Sequence, residues 1–287
     1  MTGEFIYSVL LKPRPLRSAA NAVLRALLPR AVVREGATIH LNPADPVISG
    51  ALMLNIYERP ETAFFLSVCM PGSVFLDVGA NCGYYTGLFL SRADRHSRVV
   101  ALEPDPQCFP FLKRTAAANG AGEATCLQVA AADASGTACL YRNDDNRGDN
   151  RLYRNDLATS SCLVQVTTAD NILDELNILE ANLVKIDVQG YEASVLRGMR
   201  RVIERTSRMI VLTEFWPSGL EQAGDDPVAM LDFLSANGFA VFHLNRYSRL
   251  VRIADRSAFI RGYPGRRYTN IVAMKGVDSR PWMQPDA

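Results

Sequence analysis

The chain is poor in the residues from which metal centres and disulfide frameworks are built. It has three histidines, His40, His96 and His243, none at ligand spacing from a cysteine or an acid, so no metal is expected. Its six cysteines (Cys69, Cys82, Cys108, Cys126, Cys139, Cys162) form no CxxC pair or cluster and read as reduced thiols of a cytoplasmic protein. No apolar run approaches the roughly 20 residues that cross a bilayer, so no integral membrane segment is expected. The opening MTGEFIYSVLLKPRP places an acid before its apolar run and basic residues after it, the wrong order for a secretory signal. A net charge of +1 gives no global argument for a nucleic-acid partner. Internal repeats and low-complexity segments are absent.

Two local basic stretches do occur. Lys12, Arg14, Arg17, Arg25, Arg30 and Arg34 face Glu4 alone, and seven arginines between Asn245 and Arg267 face Asp255 alone. Each reads as a solvated helix face or tail.

A length of 287 residues buries an ample core without staples. The order of segments suggests an N-terminal helical and strand extension (1–72), a main domain (73–275) and a short tail (276–287). The extension carries a helix over Leu16–Leu28, a strand over Thr38–Leu41 and a helix within PETAFFLSVCM (60–70). In the main domain, short apolar runs with little alternation alternate with helical segments. Those runs are expected as strands at 74–80, 97–103, 124–131, 182–188, 208–215 and 238–244, with a final one in TNIVAMKG. The helices fit at 83–93, 106–119, 169–177, 190–205 and 227–237. Such alternation predicts a mostly parallel sheet covered on both faces. Residues 143–161, NDDNRGDNRLYRNDLATSS, interrupt the pattern with a polar stretch long enough for a lid or binding loop.

The first of these strands runs into LDVGANCGYYTG, where Asp77, Gly79, Asn81 and Gly83 precede a helix. Small residues admit a close ligand, and the helix start offers unpaired N–H groups. A dinucleotide fingerprint needs further glycines, but Asn81 and Tyr84 stand in their places. The loop suits a ligand without phosphate, such as the amino-acid half of S-adenosylmethionine. Glu103 ends the second strand, placed to accept from two ribose hydroxyls. Asp133, after the third, could accept from an adenine amino group. Asp187 and Glu214 end the fourth and fifth strands on the edge where open α/β sheets bind ligands.

These motifs resemble the FkbM family of S-adenosylmethionine-dependent methyltransferases. The matching residues are Asp77-Val78-Gly79-Ala80-Asn81 with Gly83-Tyr84-Tyr85-Thr86, then Glu103-Pro104, then Lys185-Ile186-Asp187-Val188-Gln189-Gly190 with Glu192. The family's frequent Asp-Val-Glu-Gly reads Asp-Val-Gln-Gly here. The resemblance implies a Rossmann-like class I methyltransferase fold with a seven-stranded, mostly parallel sheet and helices on both faces. It implies S-adenosyl-L-methionine as cofactor, contacted through Asp77, Gly79, Asn81, Gly83, Tyr85, Thr86, Glu103, Pro104 and Asp133. It also implies O-methylation of a small-molecule or glycan acceptor. An alcohol must lose its proton, and Asp187, Glu214 and His243 are the candidate bases. Asp187 and Glu214 could alternatively share a Mg2+. An NAD-linked enzyme and a non-catalytic adapter with an arginine-rich tail stay open as rival readings at this point.

Overall fold

The structure, a computed structural model, describes residues 21, 24–120, 122–144, 146–154 and 156–284. Lys12, Arg14, Arg17 and the start of the helix expected over 16–28 lie outside the described residues, as does the end of the tail.

A hairpin, β1 (Ala31–Arg34) and β2 (Ala37–His40), leads into helices Pro46–Met53 and Arg59–Val68. Next come β3 (Val74–Val78), helix Tyr84–Leu90, β4 (Arg98–Leu102), helix Phe109–Ala117 and β5 (Glu123–Leu127). Three strands then form a separate small sheet: β6 (Ala130–Ala131), β7 (Gly136–Arg142) and β8 (Ser160–Thr167). The main sheet resumes with helix Ala169–Glu175, β9 (Leu183–Ile186), helices Glu192–Arg197 and Arg200–Arg205, and β10 (Met209–Phe215). Helices Pro217–Gln222 and Pro227–Ala236, β11 (Ala240–Leu244), β12 (Leu250–Arg252), helix Arg256–Arg261 and β13 (Thr269–Lys275) follow.

The main sheet runs β12-β11-β13-β10-β9-β3-β4-β5. Strands β5, β4, β3, β9, β10 and β11 are parallel, and β13 inserts antiparallel between β10 and β11. These seven strands make the Rossmann-like, mostly parallel sheet that the resemblance implies; β12 adds a short antiparallel edge. The chain leaves β3 toward β4 and β5, then returns to β9 on the other side. The order therefore reverses between β3 and β9, and a crevice opens at that switch point.

Successive residues of the central strands enter different cores. Phe75, Val99 and Leu183 pack with Phe64, Phe65, Phe89 and Ile39 on one face, while Leu76, Val100 and Val184 pack with Leu173, Leu196 and Leu231 on the other. Burial on both faces explains why these strands carry little polar alternation. Residues 31–72 cover the first of these faces. Thr38 and Asn119 exchange hydrogen bonds across it, and Asp45 caps helix Pro46–Met53 by accepting from the Ile48 N–H at 3.2 Å.

The structure differs from expectation at three places. The run 124–131 is broken after Leu127, with Ala130 and Ala131 pairing with β8 in the small sheet. The helix expected over 190–205 is two helices, interrupted at Gly198, whose close approach to the Ala132 carbonyl leaves no room for a side chain. The polar stretch 143–161 is the connection of an antiparallel pair, β7 and β8. Both strands are only partly covered, so their weak apolar signal did not read as core sheet.

Candidate active site

A cavity of about 310 Å³ lies at the carboxyl ends of β3, β4, β9 and β10. Gly79, at φ +83°, leads away from β3, and a β-carbon there would stand 2.0 Å from the Asp187 carbonyl oxygen. The neighbour that requires this glycine is protein backbone as well as any ligand. Gly83 is tight for a similar reason: a β-carbon there would stand 2.9 Å from the Leu112 side chain.

On the β4 side, Glu103 is buried. Its two oxygens accept the backbone N–H groups of Asn81 at 2.8 Å and Asp105 at 2.7 Å. Burial pushes its carboxyl up to about 8, against the help of those N–H groups. Asn81 lines the cavity with a buried side-chain oxygen that has no hydrogen-bond partner among the described residues. Pro104, Val129, Ala130 and Ala131 complete an apolar shelf beside Glu103. Asp77, also lining the cavity, takes the Thr86 hydroxyl at 2.6 Å and is raised by burial to about 6.

On the β9 and β10 side, Lys185 is fully buried within a strand. Burial alone would favour loss of its proton. Asp187, Glu58, Glu214 and Asp77 reverse that and hold it charged, above the ordinary lysine range. Its Nζ lies 3.4 Å from Asp187 and 5.4 Å from the centre of the Tyr85 ring. Gln189 spans Asp187 and Glu214, its Nε2 donating to them at 2.8 and 3.2 Å. An amide therefore occupies the position between the two carboxylates that a shared Mg2+ would need. Burial and then the charge of Asp187 hold Glu214 well above the usual carboxylate range, which favours its neutral form. Glu192 braces the same turn by accepting from the Val188 and Gly190 N–H groups.

The polar connection forms a wall of the cavity through residues 146–152 and Leu157. Asp105 anchors it, accepting from Arg147 at 3.0 Å and Asn150 at 2.8 Å. Arg151 lies over the Trp216 ring at 4.5 Å, and Tyr153 donates to the Gln189 carbonyl at 2.8 Å.

The sequence-derived candidates thus divide. Asp77, Gly79, Asn81, Tyr85, Glu103, Pro104, Asp187 and Glu214 line one cavity. Gly83 and Thr86 support it from behind. Asp133 and His243 do not line it. Asp133, read as an adenine contact, is ion-paired with Arg197 at 2.9 Å instead. His243, read as a base, packs on Phe259 and Tyr263, with its Nε2 3.2 Å from the tyrosine hydroxyl. Burial there lowers its affinity for a proton. Lining groups that escaped the sequence reading include Tyr57 and Glu58 from the N-terminal region, and Trp216, Arg266 and Tyr268 beyond β10. Lys185 carried a visible signal, as a charge inside an apolar strand, but only as part of a motif.

The Methyltransferase FkbM domain family matches residues 77–241. A segment of the AMB antimetabolite synthetase AmbE of Pseudomonas aeruginosa is 28% identical over 71% of this chain, which spans 11% of that protein's length. Methyltransferase sdnD of Sordaria araneosa is 25% identical over 53% of this chain and 70% of its own. The hexuronic acid methyltransferase AglP of Haloferax volcanii is 24% identical over 54% of this chain and 61% of its own.

Proposed function

Because the chain belongs to the FkbM methyltransferase family, we propose that it methylates a hydroxyl oxygen on a saccharide or natural-product acceptor. S-adenosylmethionine is the methyl donor; when bound, it supplies an electrophilic methyl carbon on a positively charged sulfur. The observation that carries the hydroxyl reading is the lining of the β9 and β10 side of the cavity. Carboxyl groups of Glu58, Asp187 and Glu214, the Gln189 amide and the rings of Tyr57, Trp216 and Tyr268 stand there together. Carboxylates and amides match the donors of vicinal hydroxyls, and aromatic faces suit the apolar faces of sugar rings. The name of AglP, a hexuronic acid methyltransferase, agrees with a saccharide acceptor.

The residues present fit the cofactor. Glu103 would take the ribose hydroxyls on the lone pairs that its two backbone donors leave. The unpartnered Asn81 oxygen would accept one further donor, and Val129 to Ala131 would bed the adenine. Lys185 keeps the opposing carboxylates from repelling one another. The Arg151–Trp216 wall keeps water from the reacting oxygen, which favours a held near-attack geometry. The reading includes a cytoplasmic site of action, on the ground that all six cysteines are unpaired thiols.

The first test is a thermal shift. A ligand that binds only the folded chain at a hundredfold excess over its Kd adds about 2.7 kcal/mol, a rise of roughly 5 °C or more at this size. S-adenosylhomocysteine should give it, and NAD should not. A screen of hydroxylated acceptors with labelled cofactor follows; transfer only to amine or carbon acceptors would overturn the hydroxyl reading.

A further inference from the structure

Resting on the hydroxyl-methylation reading above, we propose that Glu58 is the proton acceptor of the reaction, delivered into the cavity by a segment that lies outside the 77–241 methyltransferase match.

Of the three carboxyl groups Glu58, Asp187 and Glu214, Glu58 alone takes no part in the Gln189 bridge. Asp187 has one oxygen toward Lys185 and the other on Gln189. Glu214 shares that amide through Oε2 and is buried, with its carboxyl held well above the usual range by burial and by Asp187. Glu58 receives the Tyr85 hydroxyl on Oε2 at 2.5 Å, and its Oε1 has no hydrogen bond among the described residues. Enclosure lifts its carboxyl to about 7, the range in which a base is both available and strong enough.

The backbone is specialised at this point. Glu58 has φ 36° and ψ 47°, a left-handed conformation at the start of helix Arg59–Val68. A non-glycine residue there is strained and persists where the surroundings enforce it. The turn aims the side chain inward, although Glu58 reads in the sequence as one more charge in YERPE.

Charged and titratable groups face Glu58 from each neighbouring element: Lys185 and Asp187 at β9, Glu214 at β10, Tyr84 and Tyr85 on helix Tyr84–Leu90. Its own segment adds Tyr57 and Glu61. Lys185 is the cation of the group and favours the ionised form. In the step itself, the acceptor's O–H proton passes to Glu58 Oε1 as the oxygen bonds to the methyl carbon. The carbon–sulfur bond breaks with its electron pair going to sulfur, which cancels the sulfonium charge.

The test compares Glu58→Gln and Tyr85→Phe with the native chain, using an acceptor found in the screen. Glu58→Gln should bind S-adenosylhomocysteine normally by calorimetry, lose about 10²–10⁴ in kcat, and lose the acidic limb of the kcat–pH profile. Tyr85→Phe keeps the carboxylate but removes a donor that favours its ionised form, so its acidic limb should move to higher pH. Carboxyl ¹³C NMR in the complex with S-adenosylhomocysteine gives a readout independent of turnover. A resonance missing from Glu58→Gln should titrate near 7 in the native chain and higher in Tyr85→Phe. A Glu58→Gln chain with an intact limb and kcat within about threefold of native, well short of a base's effect, overturns the proposal. So does a limb or resonance unmoved by Tyr85→Phe. Failure of the hydroxyl reading looks different: the native chain binds the cofactor product yet methylates no hydroxyl.

Discussion

Gly79 and Asp187, 108 residues apart in sequence, meet where β3 and β9 diverge: a β-carbon on Gly79 would lie 2.0 Å from the Asp187 carbonyl oxygen. The glycine lets the two strand ends run close together, and their separation beyond this point opens the crevice. Read from sequence, a side chain here crowds the ligand. In the fold it first crowds the backbone that carries Asp187. Gly79→Ala should therefore destabilise the folded chain as well as weaken cofactor binding. The left-handed conformation costs on the order of 1–3 kcal/mol and overpacking about as much again. A fall of roughly 5 °C or more in melting temperature without ligand is expected; an unchanged melt would show that the strand ends can part freely.

Glu103 should make cofactor binding depend on pH. Its carboxyl is lifted from 4.5 to about 8, so the folded chain holds a proton that the unfolded chain releases across that window. That group's contribution to stability is greatest below the window and is lost as pH rises through about 8. Ribose hydroxyls donate to the ionised form, so binding S-adenosylhomocysteine at neutral pH should expel a proton and should tighten toward pH 8. Calorimetry in two buffers of different ionisation enthalpy measures this release. Glu103→Gln should abolish it and weaken binding about ten- to a hundredfold.

Glu214 and Asp187 should respond differently to neutralisation. Burial and the charge of Asp187 favour the neutral form of Glu214, so Glu214→Gln should preserve folding and leave melting temperature nearly unchanged. Asp187→Asn strips buried Lys185 of its nearest counter-charge. Breaking a buried pair on one side costs roughly 3–5 kcal/mol, which chemical denaturation would register. Equal losses for the two variants would mean that Glu214 is ionised.

Asp105 should govern the wall made by residues 146–152. Asp105→Ala removes the acceptor of Arg147 and Asn150, leaving the buried Arg147 guanidinium to pair with Asp144. Amide exchange across Arg147–Arg151 should accelerate, and the acceptor KM should rise more than that of the cofactor. Parallel increases in both would assign the wall to holding the whole cavity.

What the sequence determined by itself is the half of the site made of contiguous motifs. A strand, a glycine turn and a helix are local structure, so Asp77, Gly79, Asn81 and Glu103 could be placed on one sheet edge from spacing. Runs buried on both faces likewise announced the central strands. Tertiary structure decided the rest. It sent Asp133 to Arg197 and His243 to Phe259, because a residue after a strand lines the crevice only if its loop turns inward. It brought Glu58 and Tyr57 across the face of the sheet to Lys185, a contact no local pattern encodes. It also decided which carboxyl groups are pushed toward the protonated form. Protonation depends on burial and on neighbouring charge, and both are properties of the packed cavity.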